Sequence, residues 1–190
     1  MNRIFFSLAL ASMTFMAATL LIGLSLGDVR DATDRVTQQW ATVHRLCGML
    51  AAIGMVFVHC VVVTYFVGTS RWCKEVVETY QLPAELALRS ARLKRSTFPW
   101  AVMCMLSVVG VSALGGASDP AAALELAPFL GVHWSHWHLT GALLAMAFIG
   151  YAFTVEWTHI QANSQIIQEI MQEVRRIRTE RGLDVAEPVS

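Results

Sequence analysis

The sequence predicts an all-α, polytopic membrane protein: a bundle of four transmembrane helices with both termini cytoplasmic and amphipathic helices on that same side. Three observations lead there. The 190-residue chain is 55% hydrophobic, and its apolar residues gather in four blocks instead of spreading through an amphipathic pattern. Residues 5–27, 40–68, 99–116 and 138–157 are each about long enough to cross a hydrocarbon core of about 30 Å at about 1.5 Å per residue. The 14 Lys and Arg are one-sided: Arg3 precedes the first block, six follow the second and four follow the fourth, against only Arg30, Arg35 and Arg45 towards the other side. By the positive-inside rule the termini are cytoplasmic, which places the chain in the inner (cytoplasmic) membrane as a multi-pass protein. The Trp residues agree, with Trp40, Trp134 and Trp137 at predicted outer ends and Trp72, Trp100 and Trp157 at or near inner ends.

The first block follows Met-Asn-Arg, so a cleaved secretory signal is the alternative to a retained span. Its apolar run exceeds the usual h-region of about 7 to 15 residues, and the Ala9-Leu10-Ala11 match comes early, which favours the span. On the second block, stepping about 100° per residue from His44 collects Gly48, Ala51, Ala52, Met55 and His59 on one stripe. The stripe is mostly small, which lets helices approach closely or leaves room for a flat prosthetic group.

Residues 69–98 form a predicted cytoplasmic helical insertion within a transmembrane domain of residues 1–160. Trp72, Val76, Val77 and Tyr80 recur at helical spacing, Pro83 breaks the helix, and a second run ends in Arg92-Leu93-Lys94-Arg95. The third block follows, with Met103 and Met105 read as packing. On the fourth block the stripe from His138 contains Gly141, Ala142, Ala145, Ile149, Ala152 and Glu156.

No Gly or Pro separates the fourth span from the tail, residues 161–190, so one helix is expected from about His136 to about Arg181, ended by Gly182. Its stripe of Ile166, Ile167, Ile170, Met171, Val174 and Ile177 is expected, like that of the insertion, to lie on the inner leaflet or to dock a partner. Residues 185–190 read as a frayed end. The two hairpins, each followed by a charged helical segment, make a crude two-fold repeat.

Because the second and fourth spans run in the same direction, His44 and His138 are level near the outer surface. Each neutral imidazole can give one nitrogen to iron while its other N–H is fixed by a carbonyl or side chain. Arg45 is placed to meet a haem propionate. One haem b is the expected count, since His59 lies about 22 Å below His44 and no second His is level with it. His59, Glu156 and His159 can instead form an inner polar cluster serving quinone or proton transfer. His133-x-x-His136-x-His138 also has a spacing compatible with Cu or Zn. The cysteines lie in or next to apolar blocks, so no disulfide framework is implied, and no basic patch with aromatic interleaving points to nucleic acid.

His44-Arg45 followed by Gly48, and His138-Leu139-x-x-Ala142, resemble one four-helix half of the haem A synthase family. The resemblance covers the layout of the four spans and about ten residues of motif. It implies a b-type haem between the second and fourth helices near the outer face, with His44 and His138 as axial ligands and Gly48, Gly141, Ala142 and Arg45 around it. Ala41 stands where the family's catalytic half has a Glu, so the match is to the half that holds haem without oxidising it. The family's outer-loop cysteine pair and any counterpart of the long cytoplasmic helices are missing.

The expected function is therefore electron transfer or haem handling, as a subunit of a larger membrane assembly with a redox partner or quinone, in a homo- or hetero-oligomer. The alternative is a cofactor-free scaffold that recruits a partner through its cytoplasmic helices. A transporter or channel is disfavoured because the spans carry almost no charge and no unwound Gly/Pro pair.

Overall fold

The computed structural model describes residues 1–31, 33–122, 124 and 126–183. Four helices account for nearly all of them: α1 (Asn2–Leu24), α2 (Arg35–Tyr80), α3 (Ala84–Ser118) and α4 (Trp134–Glu180), with one 3-10 turn at Pro120–Ala122 and no strand among the described residues. All four are long and apolar enough to cross a membrane.

Consecutive helices pack side by side and α1 closes against α4, so α2 and α4 run in the same direction and meet across the diagonal of the bundle. The start of α1, the end of α4 and the α2–α3 turn lie at one end, here the terminal end. The described residues that join α1 to α2 and α3 to α4 lie at the other, the loop end. In the most apolar 18-residue stretch of each helix less than a third is buried, 28% at most in α2. The remainder is an apolar belt including Leu10, Phe57, Val109 and Leu144, the surface a hydrocarbon environment would cover.

Local chemistry sets the helix ends. Asp34 caps α2 by accepting from the N–H groups of Val36 and Thr37, and the Thr37 hydroxyl donates to its other oxygen at 2.6 Å. That hydroxyl, helped by the main-chain donors, holds the Asp34 carboxyl below the ordinary carboxylate range. At the far end of α2, Gln81 takes a left-handed conformation (φ 54°) and Pro83 starts α3, giving a tight turn where the sequence predicts a break. Gly182 (φ +64°) follows the end of α4 and donates to the Thr179 carbonyl.

The first span ends at Leu24, short of the expected residue 27, and Pro99 lies inside α3 instead of starting it. The tail continues α4 as far as Glu180, as expected, and residues 69–98 continue α2 and α3, so the three helices extend together beyond α1. Their apolar stripes bury one another: Cys73, Val77 and Leu82 pack with Ile166, Ile170 and Val174, and Trp72 is partly buried there too. Arg89 of α3 and Glu169 of α4 clasp across this extension at 2.6 Å and 3.2 Å, and hydrogen bonding to Glu169 raises the Arg89 pKa. The end expected to fray, residues 185–190, falls outside the described residues.

Candidate functional site

His44 and His138 occupy matching positions near the loop-end starts of α2 and α4. Their ring centroids are 6.3 Å apart with planes at 79°. Each ring is fixed by the helix that precedes its own. The Nδ1–H of His44 donates to the Thr19 carbonyl of α1 at 3.0 Å, and the Nδ1–H of His138 donates to the Val111 carbonyl of α3 at 3.1 Å. A carbonyl can only accept, so this assigns the proton to Nδ1 and leaves Nε2 of each ring with its lone pair.

A glycine four residues after each carbonyl makes the approach possible. A Cβ on Gly23 would stand 2.7 Å from Cε1 of His44, and a Cβ on Gly115 would stand 3.1 Å from Cε1 of His138. The arrangement on α1 and α2 is thus repeated on α3 and α4: carbonyl, glycine, imidazole. The donor identity and tautomer of His44 and His138 are those that would hold a haem iron through Nε2, and the two glycines seat the rings.

Other expected site residues are placed differently. Arg45 does not stand free for a propionate: its guanidinium donates to Asp119 at 3.0 Å and 3.2 Å and to Thr42 at 3.0 Å, tying α2 to the end of α3. Gly48 faces Thr19 of α1, and Gly141 faces Leu114 of α3, where an added Cβ would stand 2.8 Å from Cδ1. These two glycines set helix spacing and do not open room between α2 and α4. The reason is that each histidine leans on its neighbour helix, so the residue one turn on faces the same way. Ala142 is partly buried and Ala41 is buried.

The inner polar residues divide into two sets. His59 and Glu156 meet across the α2–α4 diagonal at 3.0 Å, both with wholly inaccessible side chains, and Phe153 stacks on the imidazole at 5.1 Å. His159 bonds instead to Thr97 of α3 at 2.8 Å. His133 caps α4, bonds to Ser135 and contacts Arg30, and among the described residues no group of three or more metal-ligating side chains is assembled. His133, His136 and His138 are thus not brought together as a three-ligand set.

Sequence reasoning misses the partners of the histidines. A main-chain carbonyl has no side-chain signature, and Gly23 and Gly115 look like ordinary glycines near helix ends. The one available signal was the repeat itself, since each histidine-bearing helix is preceded by a helix with a glycine in its last turns. Asn163 is also missed: its carbonyl accepts from Ser90 at 2.8 Å, and its amide donates to Tyr65 at 3.2 Å and Thr69 at 2.9 Å. Comparison of the chain with family models, with curated proteins and with solved structures finds no match.

Proposed function

We propose that this chain is a b-type haem-binding integral membrane protein in which His44 and His138 hold one haem iron, acting in electron transfer or haem handling within a larger membrane assembly. The observation that carries this is the histidine pair itself, two parallel-helix imidazoles 6.3 Å apart, each locked by an Nδ1–H bond to a main-chain carbonyl. Each ring keeps its Nε2 lone pair in an apolar bundle, where an electrophile shared by both rings would satisfy it. The likeness to a four-helix half of the haem A synthase family supports the same reading.

When bound, such a haem supplies one-electron chemistry whose potential is set by its axial ligands, hydrogen bonds and burial. The chain's own residues orient the imidazoles, raise ligand basicity through the two carbonyl acceptors and keep the loop end closed with the Arg45–Asp119 pair. Ala41 supplies no carboxylate beside the site, so haem oxidation of the synthase type is not part of the proposal. We place the termini on the cytoplasmic side of the inner membrane from the distribution of Lys and Arg.

Reduced-minus-oxidised spectra of protein purified in detergent test the reading. A sharp α band is expected in wild type and should vanish in both His44→Ala and His138→Ala, with helix content retained. A colourless, well-folded wild-type preparation from haem-replete cells would overturn it in favour of the cofactor-free scaffold.

A further inference from the structure

The polar groups buried deep in the bundle are treated in two opposite ways. Asn163 has its oxygen and its amide satisfied by Ser90, Tyr65 and Thr69, as a structural network should. Two turns along the same helix, the His59–Glu156 pair is fully buried yet half unsatisfied: His59 Nε2 and Glu156 Oε2 have no hydrogen-bond partner. Leaving such atoms orphaned is costly, and a merely structural pair gains nothing by it.

We propose that the His59–Glu156 pair is a proton-holding site in the core of the bundle, supplied from the terminal end through His159 and Thr97. A proton is the ligand that needs no cavity, and the pair is set in the bundle core: Phe153 stacks on His59, and Met55, Val62 and Ile149 are buried in the same apolar cluster as Phe153. Without an extra proton, a neutral imidazole beside a carboxylate leaves a net negative charge in an apolar interior. One added proton, carried as a carboxyl on Glu156 or as imidazolium on His59, makes the pair neutral. Unloaded, His59 Nδ1–H donates to the Glu156 carboxylate; loading adds a proton at Glu156 Oε2 or His59 Nε2, the two unpartnered atoms, and unloading removes it; no other bond changes and no electron moves.

The supply route runs through His159 and has one step, from His159 to Glu156, that no hydrogen bond bridges. His159 is partly exposed and lies one turn towards the terminal end from Glu156, an i, i+3 spacing that makes them neighbours on the helix surface. Its Nδ1 meets the Thr97 hydroxyl at 2.8 Å, and that hydroxyl also reaches the Leu93 carbonyl at 2.8 Å, so it can turn between donor and acceptor roles. The titratable groups within electrostatic reach of Glu156 are Cys104 of α3 and His159, α2 contributes His59, and α1 presents Phe5 against Phe153 at 5.7 Å. This proposal stands apart from the haem reading, since the pair lies about 22 Å from His44 along α2.

Infrared spectroscopy of the full chain in detergent, with pH steps over about pH 5 to 9 and transfer into D2O, tests it. The expected result is one protonated-pair signal, a carboxyl C=O stretch or imidazolium ring modes, that exchanges within minutes and is lost in both Glu156→Gln and His59→Gln. His159→Ala should keep the signal but slow its exchange about tenfold or more. A pair carrying no proton across that range, or one whose proton fails to exchange over hours in wild type, would overturn the proposal, as would unchanged exchange in His159→Ala. Circular dichroism of each variant separates loss of the site from loss of the fold, and neither readout depends on haem.

Discussion

A methyl group is the smallest probe of the histidine site. Gly23 admits the His44 ring at a distance no real Cβ tolerates, 2.7 Å, whereas Gly115 holds His138 off at 3.1 Å. Gly23→Ala must therefore push the His44 ring from its carbonyl. Haem content per protein is expected to fall severalfold in Gly23→Ala and less in Gly115→Ala, measured from the absorbance of purified protein; equal content in both variants and wild type would remove the cradle from the argument. Asn163 answers to stability instead. Asn163→Leu keeps the volume but strands Ser90, Tyr65 and Thr69, and should cost about 2–3 kcal/mol from the loss of three bonds in a buried network. Thermal unfolding in detergent measures this, and a change within about 0.5 kcal/mol would mean that water replaces the amide freely.

At the level of helices, the α2–α3 turn carries a correctable defect. Gln81 sits at φ 54°, a left-handed conformation that costs an L-residue roughly 1 kcal/mol and glycine almost nothing. Its side chain donates to the Glu78 carbonyl at 2.7 Å on an exposed surface, which offsets part of that cost. Gln81→Gly is expected to raise stability by about 0.5 kcal/mol, seen as a higher melting temperature; a lower one would show that the Glu78 bond matters more than the backbone strain. This turn was legible in the residues because Pro83 forbids a continuous helix, and Gly182 announced the end of α4 in the same way. The extension was only half legible. A stripe such as Ile166, Ile170 and Val174 declares that one face is covered, but a leaflet, a partner and the chain's own helices ask for the same pattern. In the structure an unbroken α4 and the α2–α3 hairpin bring these stripes together, so the chain's own helices cover them. The level histidines were legible because a fixed rise per residue turns sequence position into depth. The inner pair was less so: Glu156 stands 18 residues past His138 while His59 stands 15 past His44, an offset absorbed by side-chain reach.

For the whole molecule, two lengths govern how it sits. α1 spans 23 residues, about 35 Å at about 1.5 Å per residue, close to one bilayer crossing, whereas α4 spans 47 residues, about 70 Å. α1 begins level with Phe153 and Trp157, against which Phe5 packs, so a bilayer matched to α1 would end near those aromatics at the terminal end. Beyond it the extension is dressed in exposed ion pairs such as Arg71–Glu75 and Arg176–Glu180, groups too costly to place in hydrocarbon. Among the described residues the loop end has no comparable projection, and it holds few Lys or Arg. On the proposed orientation, the one such an imbalance of cations favours, the extension faces the cytoplasm. In a variant stripped of its native cysteines, Thr33→Cys at the loop end should react with a membrane-impermeant maleimide on intact cells, while Glu180→Cys should react only after the cells are opened. The reverse pattern would invert the molecule, put the histidine pair on the cytoplasmic side and redirect any proton supply through His159 to the opposite face.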